Sequence, residues 1–190
     1  MPRPRSFDRD DVLDRALDAF WRQGYEATSV QDLVDAMGIS RASLYNAFGS
    51  KHALFIEVLK HYEAQRLQAM TDRLRDPAHP APSAIRGVLE QAADAEASDG
   101  RGCLMTNTAT EMCMRDSDCT VRVQANFART EAAFEAAIQR GQHTGELPRD
   151  LDVQAVARYL TSALQGIRVM AAAHADRKST RLNSSHRLRS

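Results

Sequence analysis

Residues 29–51, SVQDLVDAMGISRASLYNAFGSK, constrain the fold more than any other part of the chain. They write two short amphipathic helices, the tight corner between them and the capped start of a third, which is a helix-turn-helix. Ser29 can cap a first helix of about Val30 to Ala36, with Asp32 three residues on and Val30, Leu33, Val34 and Met37 at helical spacing. Gly38 tolerates the positive φ that closes a helix, Ile39 can plug the corner, and Ser40 offers a hydroxyl to cap the next helix. From Ser40 to Phe48, Leu44 and Phe48 fall among the inward positions together with Ala42 and Tyr45. Ser40, Arg41, Ser43 and Asn46 are small, polar or cationic and fall largely on other faces. Such a face can enter a major groove about 12 Å wide and present donors and acceptors to base edges. Gly49 and Ser50 then stop one helix and cap another, with Lys51 in its first turn. A phosphate placed there would meet free amides, a positive dipole end and an ammonium together.

With these features in view, residues 8–62 resemble the DNA-binding domain of the tetracycline-repressor (TetR/AcrR) family of one-component regulators. The resemblance rests on Val12, Leu13, Ala16 and Phe20, then Gly24-Tyr25-Glu26-Ala27-Thr28-Ser29-Val30, Gly38-Ile39-Ser40, Leu44-Tyr45-Asn46-Ala47-Phe48 and Lys51-His52-Ala53-Leu54-Phe55. It implies that the helix from Ser40 reads the groove and that Tyr45 and Lys51 hold phosphates. The residues expected to face DNA are therefore Thr28, Ser40, Arg41, Ser43, Tyr45, Asn46 and Lys51. Leu44 and Phe48 read as packing residues, and Tyr45 is compatible with a core ring whose hydroxyl reaches the rim.

A formal net charge of zero is at first sight unlike a DNA binder. The total hides an uneven distribution. Arg177, Lys178, Arg181, Arg187 and Arg189 carry five positive charges with no acid among them, leaving residues 1–176 with 20 basic against 25 acidic residues, a balance of −5. Affinity for DNA must then come from local features: an arm with Arg3 and Arg5, Arg41, Lys51 and helix N-termini set in a repulsive field, with strong salt sensitivity. The last fourteen residues, RKSTRLNSSHRLRS, break from the preceding composition and periodicity. They resemble translated adapter or vector sequence and are left out of the fold reading; the alternative is a basic interaction arm. If they are foreign, the native chain was cut after about Asp176, where members of the resembled family continue into one more helix.

Beyond residue 50 the pattern is helical throughout. A long helix from about Ser50 to Leu74 carries Leu54, Phe55, Val58, Leu59, Tyr62, Leu67 and Met70 on one stripe. Asp76-Pro-Ala-His-Pro-Ala-Pro82 reads as a rigid linker, and helices follow at about 83–97, 104–114, 117–142 and 152–174. No alternating β pattern and no internal repeat intervenes. The predicted fold is all-α: a three-helix DNA-binding domain over residues 1–49, a helical ligand-binding and dimerisation domain over 50–176 bridged by the helix from 50, and a tail, 177–190. Val156, Tyr159, Leu160, Ala163, Leu164, Ile167 and Met170 lie along one side of the last helix and suit either a core or a twofold dimer interface. In the resembled family this helix pairs across a twofold axis in a four-helix bundle.

Leu104, Met105, Met112, Met114, Phe127 and Phe134 can line an apolar effector pocket or serve as ordinary core. Asn107, Thr108 and Glu111 share a helix face and can orient a polar group of a ligand. Cys103, in a Gly-Cys-Leu-x-x-Asn stretch also seen in one branch of the family, precedes a helix whose positive end favours a thiolate; its alternative is a small buried apolar residue. The candidate ligand-binding set is Cys103, Met105, Asn107, Glu111, Phe127 and Phe134. The three cysteines lack paired spacing and no histidine cluster accompanies them, so neither a metal site nor a disulfide is expected. No phosphate-cradling glycine loop, His-Glu-x-x-His signature or nucleophile elbow is present, so nothing points to catalysis or a cofactor. No apolar run approaches the roughly 18 residues of a membrane span, and no signal peptide opens the chain. These features predict a cytoplasmic, homodimeric regulator, a repressor that binds a palindromic double-stranded DNA operator and responds to a small molecule or to thiol modification. A helical interaction module that keeps a helix-turn-helix for packing and a poorly folded truncated relic are the alternatives.

Overall fold

The computed structural model describes residues 8–99 and 101–186, with side-chain surroundings over 8–94 and 101–173. The Arg3 and Arg5 arm and the side chains of the basic tail lie outside the described residues. Eight helices and no strand make up the described chain, in the order α1 (Arg9–Gln23), α2 (Val30–Met37), α3 (Arg41–Phe48), α4 (Lys51–Arg75), α5 (Ala81–Asp99), α6 (Leu104–Glu111), α7 (Ser117–Thr144) and α8 (Val153–His186).

Local chemistry sets most of these boundaries. Ser29 and Asp32 form a reciprocal capping box at the start of α2, the hydroxyl accepting from the Asp32 amide and the carboxylate from the Ser29 amide. Gly38 closes α2 at φ 67°, left-handed backbone that a side chain with a Cβ enters only with strain. Ser40 and Ser50 cap α3 and α4 by accepting from the amides of Ser43 and Ala53. Asp116 does the same for α7 through Cys119.

Three boundaries differ from the sequence reading. The first turn of α5 already includes Ala81 and Pro82, because the missing proline amide costs nothing where no intrahelical acceptor exists, and the Ala81 amide donates to the Glu146 carboxylate at 2.6 Å. Helix α6 stops at Glu111, three residues short of the expected end, and a turn over residues 112–115 leads into the Asp116 cap. The backbone of α8 runs on to His186, past the expected end near His174.

Two apolar cores organise the helices. The first joins Val12, Leu13, Ala16 and Phe20 of α1, Leu33 and Met37 of α2, Leu44 and Phe48 of α3, and Leu54, Phe55, Val58 and Leu59 of α4. It continues without a break into Cys103, Leu104, Met105 and Met112 around α6 and Cys119 and Val123 of α7. The second joins Leu67, Met70 and Leu74 of α4, Val88 and Ala92 of α5, Ala133, Phe134, Ala137 and Ile138 of α7, and Ala157 and Leu164 of α8. Helix α4 contributes to both, so the N-terminal head is keyed to the larger helical body through shared apolar packing. Among the described residues no helix is long and apolar enough to cross a membrane.

Candidate nucleic-acid interface and effector cavity

Helix α3 separates its residues cleanly by face. Leu44 is fully buried and Phe48 nearly so, while Ser40, Arg41, Ala42 and Asn46 are exposed and Ser43 is half-buried. Tyr45 is 44 % exposed, so it sits at the rim of the helix rather than in the core. The buried pair anchors the helix to α1, α2 and α4 and leaves a polar surface with the Arg41 guanidinium facing outward. The Ser40 hydroxyl is shared between its cap and the Ser43 hydroxyl, 2.9 Å away. Lys51 stands in the first turn of α4 with its Nζ 4.3 Å above the Tyr25 ring, a cation–π contact that holds the ammonium beside the free amides of that helix end. Thr28 is a correction to the expected set. Its side chain is 0 % exposed, and its hydroxyl donates to the Gly24 carbonyl at 2.6 Å, so it ties the α1–α2 loop together and has no surface to offer a phosphate.

The head meets the body along α6. Glu111, expected to contact a ligand, accepts through its carboxylate from the Tyr25 amide at 3.1 Å and the Glu26 amide at 2.9 Å. A Cβ at Gly24 would lie 3.0 Å from both Glu111 oxygens, and Gly24 has φ 82°, so this close approach requires glycine there. Asn107 is likewise engaged, donating to the Arg101 carbonyl at 2.9 Å. Trp21 donates its indole N–H to the Gly102 carbonyl at 2.9 Å, with the Arg101 guanidinium 4.4 Å from the indole centroid. Asn107 and Glu111 do line a cleft of about 320 Å³ with Trp21, Tyr25 and Phe55, at this junction, where the Glu111 oxygens and the Asn107 amide nitrogen are already engaged.

The apolar members of the expected ligand set divide among different places. Met105 is fully buried in the first core, Phe134 fully buried in the second, and Phe127 half-buried against the first. They belong to two separate cores. Met114 is 93 % exposed because α6 ends before it. Of that set, Cys103 borders a small pocket of about 20 Å³, shared with Tyr62, Glu63, Arg66, Asn126, Thr130 and Arg168. That is room for one water, so a larger effector requires α4, α7 and α8 to part. The Cys103 sulfur receives the Tyr62 hydroxyl and an Arg168 N–H, each at 3.5 Å. Burial, then the adjacent Cys103, pushes the Tyr62 hydroxyl well above its ordinary value of 10, so it stays a donor. Buried Glu63 faces two guanidiniums, Arg129 at 2.8 Å and Arg122 at 3.3 Å. This polar lining, drawn from α4, α7 and α8, is not legible in the sequence, since its members lie on helices far apart in the chain.

The other thiols differ. Cys119 is buried, and burial followed by its hydrogen bond to Asp116 pushes it up to about 12, so it is held protonated. It lies beside Asp116 and His52.

On α8, Ala157, Thr161 and Leu164 turn inward, whereas Tyr159, Ser162, Gly166, Val169, Met170 and Ala173 are exposed at helical spacing. The sequence places Tyr159 and Met170 on the side of Leu164. The structure separates them: one stripe of α8 is core, and the other is an uncovered apolar surface with small residues between its large ones.

Comparison with known proteins agrees with this architecture. Residues 12–58 match the family model described as bacterial regulatory proteins, tetR family, and residues 81–186 match the tetracyclin repressor-like C-terminal domain. The chain is 33 % identical over 179 residues to the uncharacterized HTH-type transcriptional regulator YezE of Bacillus subtilis, covering 93 % of this chain and 92 % of that one. It is 32 % identical over 171 residues to the HTH-type transcriptional repressor ComR of Escherichia coli, covering 89 % and 81 %. Among solved structures, a cysteine mutant of the TetR family regulator CifR complexed with 26-bp double-strand operator DNA superposes with a TM-score of 0.78 at 36 % identity, over 92 % of this chain and 91 % of that one. With both of its halves matched and a relative 33 % identical over nearly its whole length, the chain belongs to the tetR family of bacterial transcriptional regulators.

Proposed function

We propose that this protein is a homodimeric, effector-responsive repressor that binds a palindromic DNA operator and has no catalytic activity. The observation that carries the reading is the outward polar face of α3, with Arg41, Ser43 and Asn46 presented above buried Leu44 and Phe48. Arg41 and Asn46 are suited to base edges, while Ser40, Tyr45 and Lys51 are suited to phosphates. The operator complex of the CifR relative and the repressor ComR support the same assignment. The uncovered stripe of α8 supports dimerisation, since a twofold axis there would bury Tyr159, Val169 and Met170 against their own copies. A dimer places two α3 helices about 34–36 Å apart, or a multiple of it, which a palindrome can satisfy.

The effector acts at the Cys103 cavity. Electrophilic attack on this sulfur, or a small polar molecule held by Arg168 and Asn126, would part α4 from α8 and favour a conformation with its α3 pair wrongly spaced. Such a shift requires different affinity for the two conformations. The protein acts in the cytoplasm, where its DNA is. Selection of bound sites from random duplexes, followed by competition against bulk DNA, tests the activity. One palindromic site should win by about 10³-fold or more. Equal affinity for all duplexes would refute it, as would a monomer by light scattering. Cys103→Ser tests the sensor: it should abolish release by electrophiles, and unchanged release would move the sensor elsewhere.

A further inference from the structure

We propose that His52, Asp116 and Cys119 form a binding site for a zinc-class divalent cation that clasps the first turn of α4 to the start of α7. The proposal goes beyond the repressor reading and does not need it. One nitrogen, one oxygen and one sulfur, from two elements on opposite sides of the head–body junction, lie within 4.8 Å of one another. Asp116 spends one oxygen on the Cys119 amide at 2.8 Å, which fixes the carboxylate and turns the other oxygen to within 2.7 Å of His52 Nε2. That nitrogen is itself buried, and despite the short distance it makes no hydrogen bond of good geometry. With the imidazole neutral, its nitrogen and the nearby carboxylate oxygen both offer lone pairs to a common centre.

The donor chemistry selects the ion. A nitrogen, a thiol sulfur and one carboxylate oxygen suit zinc or cobalt, whereas magnesium and calcium prefer oxygen alone. With metal–ligand bonds of about 2.0–2.3 Å, tetrahedral donors stand about 3.3–3.8 Å apart. The present triangle has one edge of 2.7 Å and none above 4.8 Å, so it brackets that spacing and its short edge would have to open on binding. The Asp116 and His52 side chains are 20 % and 33 % exposed, so the cluster lies near the surface although the His52 nitrogen and Cys119 are buried, and water would take the fourth position. The N-terminus of α7 repels a cation, but Asp116 and Asp118 in its cap and first turn offset this. Binding forms the metal–sulfur bond and releases the Cys119 proton to water. Because His52 follows Lys51 directly, an occupied site would fix the turn that faces DNA relative to α7.

The test is a titration of the full, chelator-stripped chain with Co(II), read without DNA. One equivalent per chain should produce a sulfur-to-cobalt charge-transfer band that Zn(II) bleaches and Mg(II) leaves untouched. Cys119→Ser should remove the band, and Asp116→Asn and His52→Gln should each weaken cobalt binding by about tenfold or more, with circular dichroism confirming the fold. Should Cys119→Ser fail to fold, the partly exposed His52→Gln carries the test alone. Cys103→Ser and Cys113→Ser should keep the band. Absence of a thiolate band in the wild-type chain, or its loss with Cys103→Ser or Cys113→Ser in place of Cys119→Ser, would overturn the site. Either result leaves operator selection unaffected, so the two readings fail separately.

Discussion

Glu111→Ala should loosen the head from the body, because one carboxylate holds two backbone amides of the α1–α2 loop. Its oxygens accept from Tyr25 and Glu26 at 3.1 and 2.9 Å, and hydrogen bonds to a charged group contribute about 1.5–3 kcal/mol each when dry. Glu111 is half-buried and the Glu26 contact is exposed, so water makes up part of the difference. The expected destabilisation is then about 1–3 kcal/mol in total. Urea unfolding should show this as a lower midpoint with an unchanged slope, and a thermal melt as a drop of about 2–4 °C per kcal/mol. Glu111→Gln keeps one acceptor oxygen and should be destabilised about half as much. Operator affinity should fall as well, since α2 and α3 follow the loop that is released. A midpoint within about 0.5 kcal/mol of wild type, or a glutamine variant as unstable as the alanine one, would refute the latch.

Other perturbations separate binding from folding. Lys51→Ala should weaken all duplexes alike and reduce the slope of log K against log salt by about 0.9, the share of one phosphate that the ammonium neutralises, in a titration at several salt concentrations. Phe134→Ala should cost about 3–5 kcal/mol in urea unfolding, since the ring is fully buried in the second core. Asp32→Asn should flatten the acid limb of stability. Side-chain and then backbone hydrogen bonding with Ser29 holds Asp32 below its ordinary value of 3.8, so its contribution is present above that pH and is lost as pH falls through the lower folded value. Melts between about pH 5 and pH 2 should show a smaller loss in the variant than in wild type.

What can be read from sequence, and what cannot, follows from the range over which each feature is determined. The head is legible because its information is local: Ser29, Gly38, Ser40, Gly49 and Ser50 mark helix ends within a few residues of the hydrogen bonds they make. The same locality misleads at Thr28, where the decisive partner is the Gly24 carbonyl and burial hides the side chain. Pro82 reads as a helix breaker in sequence, although position in the first turn decides whether a proline breaks anything. The effector side is less legible because its contacts are distant. Apolar spacing does not tell Met105 and Phe134 apart, yet they belong to different cores. Glu111 sits on a plausible ligand face, and only the approach of the α1–α2 loop shows its role as a latch. Cysteine spacing gives no hint of the meeting between Cys119 and His52, because α4 through α6 separate them in the chain.

The central claim is that the exposed face of α3 reads base edges. Operator preference of wild type and Arg41→Ala, measured base by base on single-substitution duplexes at one fixed salt concentration, tests it most directly. The account predicts that the variant loses about 1–3 kcal/mol of discrimination at one position in each half-site and keeps its preference elsewhere. An unchanged preference at every position, with only a uniform loss of affinity or none, would contradict it.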